Sequence, residues 1–379
     1  MIFRLQNKSA VLIALITGLL LASKSMFALE GQRYKDEVFK NLSTQKNITY
    51  GEAYNVSKDK NETLKLDVYE PEDDSEQKRP AIIWMHGGGF TSSSKSEDNI
   101  VALCEAFTKR GYVNVSISYR LSEKQDLTAV LQAYEDGKAA VRWLRANAQT
   151  YRVDPERIVI GGSSAGAISA LHVAYEENEG NSGTPGVSSD VAACVDLRGA
   201  LSDLNTMEPH EAPLIIVHGT ADVKVPFFMA QLLESRAQAI GLPYEMHALQ
   251  GVGHNTWNFL DEKIGWISDF LLEQVIQGAP TSVGENVAPD AFELLQSHPN
   301  PVSLKSPQTT VRYELSRPGN VELRLYNILG QQVRLLAQGR HEAGSYSRRI
   351  NITGLPAGLY FYQLQTSQQI TTKKLVIVR

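Results

Sequence analysis

Between residues 64 and 278, short apolar runs alternate with longer stretches of helical periodicity, a pattern that few folds accept. Leu64–Tyr69 alternates apolar and polar residues. Ala81–Met85, Val113–Tyr119, Ile158–Ile160, Val191–Leu197, Leu214–Val217 and Tyr244–Leu249 complete a set of seven candidate strands. The middle runs are almost continuously apolar, as strands buried on both faces must be. Helix-like stretches separate them: Glu97–Arg110, Leu127–Asn147, Ala165–Tyr175, Phe227–Ile240 and Asn255–Val275. This order predicts an α/β fold, a mostly parallel sheet with helices on both faces.

The pattern stops near residue 278. Residues 279–291 are rich in Pro, Gly and small polar residues and read as a linker. Residues 292–379 carry only short alternating segments: Thr310–Leu315, Val321–Ile328, Gln332–Leu336, Tyr346–Ile352, Leu359–Gln365 and Ile370–Val378. Turn signals such as Arg-Pro-Gly-Asn (317–320) separate them, which predicts a small C-terminal all-β sandwich. Charge divides at the same place. The whole chain is at −5, but residues 292–379 hold 11 Lys/Arg against 4 Asp/Glu, a net of +7. The first 28 residues add +3, so residues 29–291 hold −15. Two units with different tasks follow from this split. The small negative total argues against nucleic acid as a partner.

The N-terminus places Arg4 and Lys8 before an apolar run from Ala10 to Ala22. Thirteen residues are too few to span a bilayer and suit the core of an export signal, with cleavage expected after Ala28 or Ser25. Residues 1–28 are therefore set apart from the fold, and no later segment is apolar enough to cross a membrane. The two cysteines, Cys104 and Cys194, lie in apolar stretches and read as buried thiols, with a single bridge open in an oxidising compartment.

Chemistry concentrates at the ends of the candidate strands. Gly162-Ser163-Ser164-Ala165-Gly166 fits Gly-X-Ser-X-Gly, directly after a strand and before a helix. A sharp turn there exposes the serine as a nucleophile, and the helix N-terminus behind it favours developing negative charge. His86-Gly87-Gly88-Gly89-Phe90 follows another strand. Consecutive glycines leave amides free to donate into a cavity, so Gly88, Gly89 and Ala165 are candidate oxyanion donors. A phosphate loop fits less well, because no Lys-Ser/Thr follows. Asp222 lies after the strand ending at Val217, and His254 after the strand ending at Leu249. Ser164, Asp222 and His254 thus stand on separate strand ends in the order nucleophile, acid, base. Asp196 and Asp203 are rival acids. His86, His172, His210, His218 and His247 are rival bases that read as structural or local residues. The spacing of His and Cys offers no metal site, and no dinucleotide fingerprint occurs; no cofactor is expected.

Together with Tyr119-Arg120-Leu121, these motifs resemble the α/β-hydrolase carboxylesterases that carry His-Gly-Gly-Gly, over roughly residues 64–278. The resemblance implies an eight-stranded core, one strand more than the seven counted. It implies catalysis by Ser164, Asp222 and His254, with Gly88, Gly89 and Ala165 as the oxyanion hole. The compact layout is most similar to small acetyl and feruloyl esterases acting on plant polysaccharides. It departs from them at Ala167, where a second glycine is common, and Ser163 departs from the Gly-Asp-Ser-Ala-Gly of the lipase-like branch. The tail resembles the C-terminal sorting domain of the type IX (Por) secretion system. It does so through Ser297-His298-Pro299-Asn300-Pro301, Tyr326-Asn327-Ile328-Leu329-Gly330, Gly354-Leu355-Pro356-Ala357-Gly358-Leu359-Tyr360 and the basic-apolar end Lys373–Arg379. That implies a secreted or cell-surface protein with the secretion machinery as partner. The competing reading of the tail is a carbohydrate-binding sandwich with Tyr360 and Tyr362 exposed for stacking on sugars.

The expectation is a secreted serine carboxylesterase acting on a small ester or an esterified glycan. The alternatives are a serine peptidase of the same fold, or an inert binding module. The charge of −15 over residues 29–291 disfavours anionic polymers and favours a neutral ester. Leu197–Ala212 and Lys95–Asn99 are the loops expected to shape specificity.

Overall fold

The computed structural model describes residues 32–278, 292–327, 331–366 and 370–378. The export signal (1–28), the linker (279–291) and the end of the Tyr326–Gly330 motif lie outside the described residues. The first unit is an eight-stranded sheet in the order β1-β2-β4-β3-β5-β6-β7-β8. Its strands are β1 Leu42–Asn55, β2 Lys60–Pro71, β3 Arg79–Met85, β4 Val113–Ile117, β5 Val153–Ser163, β6 Ala193–Leu197, β7 Leu214–Gly219 and β8 Tyr244–Leu249. β1 and β2 form an antiparallel hairpin, β2 runs antiparallel to β4, and the rest is parallel.

Seven strands coincide with the candidates read from the sequence. The eighth, β1, corrects the count. It is an edge strand with most side chains exposed, so it lacks the apolar signature that marks the others. In β3, β4, β6 and β7 every residue is buried, the condition imposed by helices on both faces. Helices α1 (Asp98–Lys109) and α5 (Leu260–Leu271) cover one face with Ile100, Leu103, Phe107, Ile267 and Phe270. Helices α2 (Leu127–Ala146), α3 (Ala165–Tyr175) and α4 (Phe228–Ile240) cover the other. The long helix expected over Asn255–Val275 is shorter: a 3-10 turn at Trp257–Phe259 precedes α5 and a π-type turn at Leu272–Gln277 follows it. Cys104 and Cys194 are both buried and free.

The sheet order fixes where a site can form. From β3 the chain passes to β4 on one side, while β5 lies on the other side of β3. Connections leaving in opposite directions open a crevice at the strand C-termini. The loops after β3 and β5 meet there, because Met85 pairs with Gly162 across the parallel register.

The Tyr119-Arg120-Leu121 motif braces this edge. The Tyr119 hydroxyl donates to the His86 carbonyl at 2.8 Å, and its ring stacks on His86 at 4.3 Å. Arg120 donates to the fully buried Asp136 at 2.9–3.0 Å and also reaches Glu135. Removing one partner of a buried pair strands the other charge. Arg120→Ala is therefore expected to cost about 3–5 kcal/mol of stability, read as the lost denaturant midpoint of the purified chain.

The second unit is the expected β-sandwich. One sheet, β10-β16-β15-β12-β13, contains Val302–Ser303, Ile370–Val378, Gly358–Gln365, Gly319–Asn327 and Gln332–His341. The other, β14-β11-β9, contains Gly344–Asn351, Gln308–Leu315 and Phe292–Leu294. Leu323, Tyr362, Leu364 and Leu375 from the first sheet meet Val311, Tyr313 and Ile350 from the second. Tyr360 and Tyr362 are core side chains, 5% and 0% exposed, so neither offers a stacking face to a sugar. The two units touch beside the strand C-termini of the first. Phe228 meets Tyr326 with ring centroids 4.7 Å apart, and Lys374 lies 3.6 Å from Asp203.

Candidate active site

Ser164 sits between β5 and α3 at φ 55°, ψ −119°, a conformation that L-residues rarely hold. The flanking glycines allow it. A Cβ on Gly166 would lie 2.1 Å from the Met85 carbonyl oxygen, and one on Gly162 would lie 2.3 Å from the Gly166 backbone. The turn can close against β3 only where both side chains are absent. Backbone strain of this kind costs about 1–3 kcal/mol and persists because the surrounding packing over-determines it.

The structure brings Ser164, Asp222 and His254 together. His254 Nε2 lies 2.9 Å from Ser164 Oγ, and His254 Nδ1 lies 2.6 Å from Asp222 Oδ2. A carboxylate only accepts, so Nδ1 carries the proton and Nε2 accepts from the serine hydroxyl. Asp222 is buried and pinned from behind by the Lys224 and Val225 amides, which donate to Oδ1 at 2.8 and 3.1 Å. Burial opposes its ionisation, but hydrogen bonds from His218 and His254 outweigh that and hold its carboxyl well below the usual range.

Gly88 and Gly89 line the same cleft as Ser164, together with Ala165 at the first turn of α3. Among the described residues, neither the Gly88 nor the Gly89 amide donates to a protein acceptor, so both are available to a ligand. Gly88 is held at φ 106°, and a Cβ there would lie 2.2 Å from the Ser92 carbonyl oxygen. Gly88→Ala must displace the loop. It is expected to lower kcat by about 10²–10³-fold with a smaller change in KM, measured by steady-state ester hydrolysis.

Of the rival residues, His218 touches the triad's acid, and His86, His172, His247, Asp196 and Asp203 have partners of their own. His86 is buried with Nδ1 donating to the Gly87 carbonyl at 2.7 Å, and burial lowers its pKa to about 4. His172 is buried in α3 between the Ile168 carbonyl and Ser202. His218 Nε2 donates to the Val225 carbonyl at 2.8 Å and stands 3.4 Å from Asp222 Oδ2, the oxygen that also faces His254. His247 stacks on Trp266. Asp196 accepts the Gly199 amide, and Asp203 caps a short turn.

The cleft measures about 820 Å³. Among the lining residues that belong to no motif in the sequence are Gln125, Arg198, Trp257 and, from the second unit, Gln331 and Gln332. Of the two loops expected to shape specificity, the first contributes Arg198 and the second Glu97. Behind Trp257 stands Lys263 of α5, fully buried. Burial, then the neighbouring Arg198 charge, lowers its pKa to about 7. An amine with a depressed native pKa penalises folding below that pKa, and the penalty fades as pH rises toward about 10.4. Lys263→Met is therefore expected to raise the thermal midpoint by about 5 °C or more at pH 6, a gain that vanishes near pH 10.

Comparison with known proteins agrees with this architecture. Residues 66–212 match the BD-FAE family, and residues 297–378 match the Secretion system C-terminal sorting domain family. The BD-FAE match includes Ser164 and the glycine loop and ends before Asp222. Gut esterase 1 of Caenorhabditis briggsae is 34% identical over 112 residues, 28% of this chain and 20% of that protein. Carboxylesterase NlhH of Mycobacterium tuberculosis is 36% identical over 93 residues, 24% of this chain and 28% of that protein. The match thus spans 20% to 28% of the length of these curated relatives. Esterase 2 of Thermogutta terrifontis, phosphorylated by paraoxon, superposes with a TM-score of 0.53 at 26% identity, covering 61% of this chain and 94% of that one. The same esterase with propionate bound gives 0.52 at 26% identity, covering 62% and 97%. Among the described residues no helix is long and apolar enough to cross a membrane. The chain thus has an α/β-hydrolase fold whose residues 66–212 match the BD-FAE family, followed by a region, 297–378, that matches the secretion-system C-terminal sorting domain and marks it for the cell exterior.

Proposed function

We propose that the chain is a secreted serine carboxylesterase that cleaves short-chain esters through an acyl-enzyme. The observation that carries this reading is the continuous line from Asp222 through His254 to Ser164, opening on a cleft with two free loop amides. In this mechanism His254 Nε2 takes the hydroxyl proton as Ser164 Oγ bonds to the ester carbonyl carbon. Asp222 keeps Nδ1 protonated and stabilises the imidazolium. The Gly88, Gly89 and Ala165 amides receive the oxyanion, each donor worth about 3–4 kcal/mol in the transition state. Collapse breaks the carbon–oxygen bond to the alcohol, which leaves with the proton held by His254. Water then attacks the acyl-serine, giving its proton to His254, and the acid departs as that proton returns to Ser164.

Acetyl and feruloyl esters on plant polysaccharides are the substrate class proposed for it. The open cleft suits a substrate presented on a polymer, and residues 32–63 form β1, its approach and the start of β2 rather than a large cap. The sorting domain engages the secretion machinery, and residues 29–278, 279–291 and 292–379 act as catalytic unit, linker and address. The test is hydrolysis of 4-nitrophenyl acetate, butyrate and octanoate beside methyl ferulate. Turnover of the acetyl or ferulate ester above the octanoate is the expected result. Preference for octanoate would overturn the short-acyl assignment, and no turnover of any ester would overturn the function.

A further inference from the structure

Seven Lys and Arg side chains are buried among the described residues. Five of them (Arg79, Lys95, Arg120, Lys138 and Arg142) have a carboxylate within 4 Å. The two that do not are Arg198, which lines the cleft with Ser164, and Lys263, which shares the Trp257 ring with it.

Arg198 follows β6 at φ 63° and lines the cleft. It donates from Nη2 to Ser163 Oγ at 2.8 Å and from Nη1 to Thr256 Oγ1 at 3.1 Å, while its Nε is buried without an acceptor. Lys263 donates to the same Thr256 oxygen at 3.3 Å. The Trp257 ring joins the two: the Lys263 ammonium lies 4.0 Å and the Arg198 guanidinium 5.1 Å from its centroid. Glu97 bears on both through its charge, and Asp222 on Arg198 alone. Glu97 is occupied as the cap of α1, accepting from Asn99 Nδ2 and the Ile100 amide. Asp222 is occupied by His254. Glu262, next to Lys263 in the chain, bears on the lysine alone.

A buried guanidinium beside a buried amine, neither with a carboxylate within 4 Å, is costly to keep there. An anion in the cleft would supply the missing charge, and the planar guanidinium suits a carboxylate. We infer that Arg198, backed by Lys263, binds a free carboxylate of the substrate, so that the preferred esters carry an acid on their acyl or their alcohol part. This rests on the esterase reading of the same cleft and narrows its substrate class. It also reverses the preference for neutral esters drawn from the charge of the whole region. Charges farther than about 8 Å are largely screened at physiological salt, whereas a buried guanidinium in contact with its ligand is not.

The test uses the full chain and two matched pairs of esters. 4-Nitrophenyl hemisuccinate against 4-nitrophenyl butyrate places the acid on the acyl side. 4-Acetoxybenzoate against phenyl acetate places it on the alcohol side. In one pair kcat/KM is expected to favour the acid-bearing ester by tenfold or more, and the favoured pair identifies the side. Arg198→Gln and Lys263→Met should each bring that ratio toward one, chiefly through KM, while Arg198→Lys retains part of it. Should Arg198→Gln not fold, Lys263→Met and competitive inhibition of butyrate hydrolysis by succinate or benzoate carry the same test. Ratios near or below one in both pairs for the wild type overturn the inference. So do variants that slow both members of a pair equally, which would make Arg198 a support for Ser163 alone. If neutral and acidic esters are all untouched, the esterase reading itself falls.

Discussion

Ser164→Ala is expected to reduce kcat for 4-nitrophenyl acetate by about 10⁴–10⁶-fold and to leave the thermal midpoint close to that of the parent. Among the described residues the Ser164 hydroxyl has one side-chain hydrogen-bond partner, His254 Nε2 at 2.9 Å, so its removal breaks the catalytic line and little else. Alanine keeps the backbone that the turn requires, and the close approaches that hold the turn in place belong to Gly162 and Gly166. The residual rate measures what the loop amides and the cleft contribute alone. A loss of only tenfold would mean that another group is the nucleophile.

Asp222→Asn is expected to cost about 10⁴-fold in kcat with substrate binding little changed. The carboxylate holds Nδ1 protonated at 2.6 Å; an amide can present its NH₂ to the same nitrogen and stabilise the wrong tautomer. The same substitution carries a stability signature. Because the folded-state pKa of Asp222 is depressed, its contribution is present above the ordinary aspartate pKa of about 3.9 and is lost as pH falls toward the native value. The wild type should therefore be the more stable protein at pH 7, with the difference narrowing as pH drops below about 4. Equal stability at pH 7, or a difference that grows in acid, would contradict that assignment.

What the sequence made legible follows from where each signal resides. Parallel strands covered on both faces are largely apolar, so β3 through β7 announced themselves, and the loops at their C-terminal ends then had to share one edge. Ser164, Asp222 and His254 could be singled out because each follows a recognisable strand. β1 stayed hidden because an edge strand with a mostly exposed face has no reason to be apolar. Lys263 stayed hidden for the opposite reason: a lysine in an amphipathic helix ordinarily marks the solvent side, yet this one is fully buried. Arg198 sits in a turn at positive φ, where its side chain's direction depends on the packing of β6 against β7 and α3 rather than on local pattern. Gln332 reaches the cleft from a different unit, and no feature of residues 292–379 points toward the strand ends of the first sheet. Local periodicity therefore locates the machinery, while the selectivity of the cleft depends on tertiary contacts that periodicity does not encode.

The central claim is that Ser164 becomes covalently acylated, and an organophosphate that mimics the acyl transfer tests it most directly. The full chain would be treated with paraoxon, residual esterase activity recorded, and the intact mass and peptide map determined. The account predicts one diethylphosphoryl group per chain, located on Ser164, appearing in step with the loss of activity and absent from Ser164→Ala. Inactivation with the adduct on another residue, or full activity retained beside a quantitative Ser164 adduct, would contradict it.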